Sequence, residues 1–245
     1  MSVIITMAGA GSRFTEQGYT VPKYRVMANK KTLFEWSLLS LKKFFNCQRF
    51  IFACLEQHDR NFISEKAKAL GIQDFIIHTR KEVSKGQAET AYDCLKYANQ
   101  EESLWIFNID TYVSEGFSPY DIEDGQGCLH VFKSENPSMS FVRYDDSGAV
   151  LEIAEKKVIS SWATVGMYGF ETALLFREIY KQAFLDDKSL EVQGERYIAP
   201  MYQLLIEREN KVLAPKLSSI NVHILGTPSE VKIFDSHAVP PLGAV

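Results

Sequence analysis

A glycine-containing segment close to the N-terminus has the residue types that bind phosphate groups. Its five residues are Ala8, Gly9, Ala10, Gly11 and Ser12. Gly9 and Gly11 allow the backbone to turn sharply and to present N–H groups to an anion. Arg13 follows directly and Lys23 stands ten residues later, so two cations accompany the segment. This pattern predicts a site for a triphosphate.

Two common nucleotide-binding motifs do not match this segment. Phe14 stands where a dinucleotide-binding fingerprint has its third Gly, and no acidic residue lies at the expected ribose position. The chain also lacks a G-x-x-x-x-G-K-[ST] sequence, which excludes a P-loop NTPase. The simplest alternative is a loop whose glycines only form turns and whose cations are solvated.

Asp110 is the second chemical feature, because it ends an apolar run that is predicted to be a strand. Carboxylates bind Mg²⁺, and ligands of open α/β sheets bind at the carboxyl ends of the strands. We therefore expect Asp110 and residues 8–12 to meet in one crevice. A strand-terminal Asp can instead cap a helix or form a turn.

Apolar strands and amphipathic helices alternate along the first part of the chain and must position these residues. Strands are predicted at residues 3–7, 49–55, 75–77 and 104–110, and helices at residues 32–45, 58–70 and 87–98. Later strands are predicted at residues 128–132, 140–144, 163–170 and 222–225, and helices at residues 173–184, at residues 197–208 and from Thr227 onward. The alternation indicates βαβ units. We expect one α/β domain over residues 1–245, with a Rossmann-like mixed, mostly parallel sheet flanked by helices.

Composition excludes several classes of protein. The 245 residues are enough for a sizeable core, and the net charge of −4 excludes a strongly basic nucleic-acid binder. No apolar run reaches the roughly 18 residues of a membrane span, and the first residues lack the basic region of a signal peptide. We therefore expect no nucleic-acid or membrane partner and a cytoplasmic location.

The cysteines are predicted to be buried free thiols, since no C-x-x-C pair occurs among Cys47, Cys54, Cys94 and Cys128.

Ordered segments along the whole chain resemble the signature of the sugar-nucleotide pyrophosphorylases, a family of nucleotidyltransferases. The first is residues 7–14, followed by Pro22-Lys23 and a helix. The later ones are residues 86–88, 108–110, 155–156, 165–168, 194–197 and 226–228. The resemblance implies a glycosyltransferase-A-like fold, with the nucleotide bound by residues 1–115 and a phosphorylated acceptor bound by residues 116–245.

The resemblance also implies a reaction, in which an NTP and a sugar 1-phosphate or related acceptor give an NDP-linked product and pyrophosphate. Arg13 and the backbone of the glycine segment would hold the β- and γ-phosphates. Lys23 would stabilise charge at the α-phosphate, and Asp110 would bind Mg²⁺. Precursor supply for capsule, lipopolysaccharide or other surface polysaccharide is the process that the resemblance suggests, and a homo-oligomer stays open.

Five further residues match positions near the base or the acceptor in this family. Gln87 matches a segment beside the nucleobase. Glu155 matches a residue that meets acceptor hydroxyls, and Lys156 one that meets the acceptor phosphate. Gly166 and Glu195 are lesser acceptor-side candidates. The alternative for Gln87 is a solvent-facing position at a helix start, and exposed Glu-Lys pairs are common in any protein.

Two departures from the family pattern affect this interpretation. Ile224 stands where the family often has a second metal carboxylate, and Ile cannot bind Mg²⁺. Asp235 or His223 would then substitute, or Asp110 would act with phosphates and water alone, or catalysis has been lost. Thr164 replaces an Asn of many sugar-specific members, which weakens a hexose assignment.

Two other functions therefore remain open. One is a glycosyltransferase that consumes an NDP-sugar, although Arg13 and Lys23 supply more positive charge than a diphosphate needs. The other is a non-catalytic protein that binds a nucleotide or a sugar phosphate.

Overall fold

The apolar runs of the sequence form a nine-stranded sheet and two small ribbons. The computed structural model describes residues 1–46, 49–187 and 189–236, so Cys47 lies outside the described residues. The strands are β1 (Ser2–Thr6), β2 (Met27–Ala28), β3 (Lys31–Thr32), β4 (Arg49–Leu55), β5 (Phe75–Arg80), β6 (Leu104–Asn108), β7 (Thr111–Val113), β8 (Gly127–Lys133), β9 (Ser140–Tyr144), β10 (Val150–Glu155), β11 (Trp162–Phe170), β12 (Val212–Leu213) and β13 (Val222–Ile224).

Short helices flank this sheet. They are α1 (Ser12–Thr15), α2 (Leu33–Leu39), α3 (Arg60–Leu70), α4 (Gln87–Cys94), α5 (Ala173–Lys181), α6 (Met201–Glu207) and α7 (Pro228–Ser236). Single 3₁₀ turns occur at Lys23–Arg25, Lys42–Phe44, Leu95–Tyr97 and Ser219–Asn221, and a π-helical turn at Gln182–Asp186.

The order of strands in the sheet is β10-β9-β11-β6-β1-β4-β5, and β8 extends it from β11 with β12 on its far side. Strands β6, β1, β4 and β5 run parallel. Strand β11 is antiparallel to β6, β8 and β9. This mixed sheet with flanking helices confirms the predicted fold class. The ribbons β13-β7 and β2-β3 lie outside the main sheet.

The parallel pairing brings the ends of β1 and β6 level with each other. Thr6 pairs with Asn108 across the two strands. The segments that follow, residues 8–12 and Asp110, therefore leave the sheet side by side. The crevice expected from the sequence follows directly from this register.

Two predicted helices were wrong in their bounds. The predicted helix at residues 32–45 ends at Leu39, and one at residues 197–208 begins only after Pro200, which has no N–H to donate. Strand β10 was missed. A register shift between Val150 and Glu152 leaves Leu151 exposed, so the inside–outside alternation that marks a strand is broken there.

Both faces of the sheet are buried. In β1, Val3 and Ile5 belong to one apolar cluster and Ile4 to the other. Helices α2 and α3 cover the first face, and α4, α5 and α6 cover the second. Burial on both sides explains why the strands read as continuous apolar runs.

The cysteines of the described residues agree with the sequence prediction. Cys54, Cys94 and Cys128 are buried free thiols. Burial raises the pKa of Cys54 to about 11 and that of Cys94 to about 12, so both stay protonated at neutral pH. No helix within the described ranges has the length and apolar character needed to cross a bilayer.

A buried histidine and an aspartate join β8 to the turn that precedes it. His130 lies 2.8 Å from Asp121 through its Nε2 atom, and its ring packs against Phe117 and Trp105. Burial opposes ionisation of Asp121. The hydrogen bond and charge of His130, together with the N–H of Ser118, outweigh burial and lower the pKa of this carboxyl.

We predict that Asp121→Asn destabilises the protein by about 1 kcal/mol at pH 7, because the charge-assisted hydrogen bond is weakened. The folded pKa lies below the unfolded value of about 3.8. The stabilising contribution is therefore complete above that value and is lost as the pH falls through the folded pKa. Urea unfolding of both proteins from pH 7 to pH 2.5 should show the difference shrinking at the acid end. A difference that stays constant would contradict this role.

Candidate functional site

A cleft of about 540 Å³ opens at the carboxyl ends of β1 and β6. Ten residues predicted from the sequence line it, namely Ala8, Gly9, Ala10, Gly11, Ser12, Arg13, Lys23, Gln87, Asp110 and Glu195. Glu155, Lys156 and Gly166 do not line the cleft. Of these ten predicted residues, nine come from the first half of the chain and one, Glu195, from the second.

The glycine segment turns from β1 into the single helical turn α1. Gly11 has φ of 64°, a left-handed conformation that favours glycine. Gly9 has open space where a Cβ would stand. Phe14 is buried and packs edge-on against Tyr19, with ring centroids 5.3 Å apart. The aromatic ring that replaces a third glycine therefore anchors the segment to the protein.

Lys23 and Asp110 form an ion pair in the cleft. The Nζ of Lys23 lies 2.7 Å from Oδ2 of Asp110, and about three quarters of each side chain is shielded from solvent, with 25% and 22% exposed. Lys23 begins the 3₁₀ turn after Pro22, and the Asp110 carbonyl accepts from the N–H of Leu225 at 2.7 Å. Both groups are held in place by backbone structure on either side of the cleft.

Asn108 ends β6 two residues before Asp110 and also lines the cleft. Its side-chain Oδ1 is buried and has no hydrogen-bond partner within the described part of the chain. Gly166 lies behind it, in β11 at a shift of register, with φ of 86°. A Cβ on Gly166 would stand 2.2 Å from Nδ2 of Asn108, so this glycine makes room for the amide.

Gln87 begins α4 and points into the cleft, where its Nε2 donates to Oγ1 of Thr6 at 3.1 Å. The segment before it is bonded to residues 194–197. The N–H of Arg196 donates to the Lys85 carbonyl at 2.6 Å, and the N–H of Ala88 donates to the Arg196 carbonyl at 3.0 Å. These bonds hold Glu195 beside the loop that precedes α4.

Tyr197 joins the acceptor-side candidates to the cleft. The Nζ of Lys156 donates to the Tyr197 hydroxyl at 2.6 Å and to Gln193 at 3.1 Å. Burial, followed by a hydrogen bond and the charge of Glu195, raises the pKa of Tyr197. Lys156 thus lies one side chain behind the cleft wall.

Glu155 lies next to these groups and is half-buried. Its Oε2 accepts a hydrogen bond from the Ser140 hydroxyl. Burial raises the pKa of Glu155 and the charge of Glu195 adds to this, while Ser140 and Lys156 act in the opposite direction. The carboxyl is therefore easier to protonate than an exposed glutamate.

The alternatives proposed for the missing carboxylate at Ile224 do not reach the cleft. Asp235 accepts from the backbone N–H of Asn29, and the ring of His223 stacks on Tyr112. Glu230 lies closer. A Cβ on Gly226 would stand 3.2 Å from Oδ2 of Asp110 and 3.6 Å from Oε2 of Glu230, so the two carboxylates flank this glycine.

The oxygen donors suit Mg²⁺, although the described residues hold no cluster of three metal-ligating side chains. Mg²⁺ binds through one or two carboxylates together with substrate phosphates and water. Asp110 and Glu230 would be the carboxylates of such a site, and the unpartnered amide oxygen of Asn108 would be a third protein oxygen.

Sequence reasoning missed Asn108, Tyr197 and Glu230 as candidates. Asn108 and Tyr197 lie in residues 108–110 and 194–197, two of the segments that resemble the family signature, but neither was predicted to be a site residue. Glu230 follows Thr227 at the spacing of a helix capping box, and its backbone N–H and carboxylate both bond the Thr227 hydroxyl. That pattern indicates a helix start and says nothing about a neighbouring carboxylate from another strand.

We predict that Gly86→Ala destabilises the protein by at least about 1 kcal/mol, because Gly86 has φ of 138° and a Cβ would stand 2.6 Å from the Arg196 carbonyl oxygen. Thermal unfolding should show a Tm lower by about 2 °C or more. Gly9→Ala is the control, since it has open space at the Cβ position and should leave the Tm unchanged. Equal Tm values for the two variants would contradict the close contact.

Comparison with solved structures identifies the family. The nucleoside-diphosphate-sugar pyrophosphorylase from Vibrio cholerae is 32% identical, with a TM-score of 0.89 over 96% of this chain and 100% of that one. A proposed glucose-1-phosphate thymidylyltransferase from Bacillus anthracis, in complex with sucrose, is 17% identical, with a TM-score of 0.77 over 98% and 97%. The inositol-1-phosphate CTP transferase from T. maritima is 18% identical, with a TM-score of 0.71 over 96% and 93%.

The last two structures show the shared fold alone. A scan of protein-family models and a search of curated proteins gave no match. At 32% identity across 96% of its length to the Vibrio cholerae protein, the chain belongs to the nucleoside-diphosphate-sugar pyrophosphorylase family of nucleotidyltransferases and is an enzyme.

Proposed function

We propose that the protein condenses an NTP with a sugar 1-phosphate, or a related phosphorylated acceptor, to an NDP-sugar-type product and pyrophosphate. The observation that carries this proposal is the Lys23–Asp110 pair beside the glycine segment, at one edge of the sheet. A cation and a carboxylate at this place suit a reaction between two anions, which repel each other until their charges are neutralised.

On the nucleotide side, Arg13 and the backbone N–H groups of residues 9–12 hold the β- and γ-phosphates. Lys23 exchanges Asp110 for an oxygen of the α-phosphate when the triphosphate enters. The acceptor phosphate oxygen then attacks the α-phosphorus in line, and the bond to the bridging oxygen of the β-phosphate breaks. Pyrophosphate leaves with that bonding pair, while Lys23 stabilises the charge on the α-phosphate.

Asp110, Glu230 and the Asn108 amide oxygen are the groups that would hold Mg²⁺. When bound, this ion supplies charge neutralisation at the phosphate oxygens. Asp110 keeps its position without the ion, because the Leu225 N–H fixes its carbonyl and Lys23 its carboxylate.

On the acceptor side, Glu195 and Tyr197 form the cleft wall, with Glu155 and Lys156 behind it. Glu155 accepts from a sugar or polyol hydroxyl in place of Ser140. The ammonium of Lys156 is 2.6 Å from the Tyr197 hydroxyl and moves the short distance to the acceptor phosphate. Residues 116–245 thus supply the acceptor half of the site. Precursor synthesis for a surface polysaccharide is the process we assign to this product.

The first test is pyrophosphate release with each of the four NTPs, Mg²⁺ and a panel of hexose, heptose and polyol phosphates and phosphocholine. The pairs named for the structural neighbours, dTTP with glucose 1-phosphate and CTP with inositol 1-phosphate, belong in the panel. Release that needs one NTP and one acceptor supports the proposal. Hydrolysis of an NDP-sugar without pyrophosphate chemistry would support the glycosyltransferase alternative, and NTP-induced stabilisation without product a binding protein.

Lys23→Ala and Asp110→Ala should each reduce turnover at least about 100-fold, because each removes a charge that acts on the transferring phosphate. Steady-state pyrophosphate release measures this effect. Lys68→Ala and Asp146→Ala remove the same charges at exposed positions outside the cleft and should keep wild-type rates. Near-normal turnover of both cleft variants would overturn the site.

Glu155→Ala should raise the KM for the acceptor and leave the KM for the NTP unchanged, because in the proposed reaction this carboxyl accepts a hydrogen bond from the acceptor alone. The matched control is Glu152→Ala, which removes a partly exposed glutamate of the same strand that pairs with Arg143. Initial rates with each substrate varied in turn separate the two KM values. A change confined to the NTP would show that the acceptor lies elsewhere.

A further inference from the structure

A second cleft of about 820 Å³ lies away from the glycine segment, between the end of β5, helix α4 and helix α5. It shares no lining residue with the first cleft. Its volume falls within the range of small-molecule sites, roughly 300–1,000 Å³. Nothing in the proposed reaction uses it.

The lining of this second cleft is strongly cationic. Five cationic side chains and two carboxylates face it, in a chain whose net charge is −4. The cationic residues are Arg80, Lys81, Lys96, Arg177 and Lys181. Of these, Arg80 alone forms ion pairs within the described residues, with Asp93 and Glu89. The other four cations line the same concavity and form no ion pair within the described residues, and they outnumber the two carboxylates, Glu82 and Asp93.

A buried histidine of the lining is affected by the same positive charges. His78 is 9% exposed. Burial lowers the pKa of His78, and the charges of Lys96 and Arg80 lower it further. Tyr92 and Leu95 add apolar surface. A small anion with several charges fits this combination better than a neutral ligand does.

We propose that this second cleft binds a small molecule that carries two or more linked phosphate groups. Arg177 and Lys181 lie on α5, Lys81 follows β5, and Lys96 follows α4, so the cations come from three separate segments of the chain. A chain of linked phosphates offers several anionic groups to such a set, and charge-assisted bonds to phosphate are among the strong ones. Inorganic tripolyphosphate and a nucleoside triphosphate share this chemistry. The inference is independent of the proposed reaction.

Arg80 also connects this cleft to the loop that precedes α4, which lines the first cleft. Its Nη2 lies 3.3 Å from Oε2 of Glu89, which accepts from the Lys85 N–H at 2.7 Å. The other oxygen of Glu89 lies 3.5 Å from Arg196. Substitution of Arg80 would therefore disturb the first cleft, and Arg177 and Lys181 are the better positions for a test.

Isothermal titration calorimetry with inorganic tripolyphosphate tests the proposal in an Arg13→Ala/Lys23→Ala background, in which the first cleft is disabled. We expect about one equivalent to bind, with an affinity that falls as salt rises. Adding Arg177→Ala/Lys181→Ala should weaken binding at least about tenfold. A change of that size corresponds to the loss of about one hydrogen bond to a charged group. Adding Lys68→Ala/Lys211→Ala, which removes the same net charge elsewhere, should not.

Absence of binding in the background protein, or equal weakening by both added pairs, would overturn the proposal. Lys181→Glu, at an exposed helix position, is a second variant that keeps the test valid if the double substitution impairs folding. Repeating the titration with each NTP in place of tripolyphosphate then distinguishes a nucleotide ligand from an inorganic polyphosphate. Tighter binding of one NTP assigns the cleft to a nucleotide, and equal affinities assign it to the phosphate chain alone.

Discussion

Parallel pairing between β1 and β6 is the constraint on which the rest of the site depends. The two strands are about a hundred residues apart in sequence, and their register places Thr6 opposite Asn108. Everything that follows each strand then starts from the same edge, with the glycine segment on one side and Asp110 on the other. The ion pair between Lys23 and Asp110 is possible only because this register fixes both ends.

A second connection ties the two halves of the chain together across the cleft. Residues 194–197 are bonded through their backbone to the loop before α4, and Gly86 permits the close approach because it has no Cβ. Tyr197 and Glu195 are thereby held at the cleft, and Lys156 is bonded to Tyr197. The reaction that we propose brings two anions together, and rigid placement of the reacting groups supplies much of the catalysis in such reactions.

A carboxylate lies near Asp110 although Ile224 has no oxygen donor in its side chain. Ile224 cannot bind a metal, yet the next turn of chain leads into α7, whose first turn carries Glu230. Its carboxylate bonds the Thr227 hydroxyl and flanks Gly226 opposite Asp110. One side chain can therefore cap a helix and add negative charge to the cleft, since capping uses only part of its hydrogen-bonding capacity.

By itself, the sequence determined the alternating strands and helices, the burial of the sheet on both faces, and the meeting of residues 8–13, Lys23 and Asp110. These follow from local apolar patterns and from the rule that parallel strands end at a common edge. Only the tertiary structure decided that Glu155, Lys156 and Gly166 stand behind the cleft wall and that Asn108, Tyr197 and Glu230 lie at or beside it. It also revealed the second, cationic cleft. Those placements depend on contacts between elements far apart in the chain, such as β11 with β6 and α4 with α5. A local pattern of residue types carries no information about such contacts.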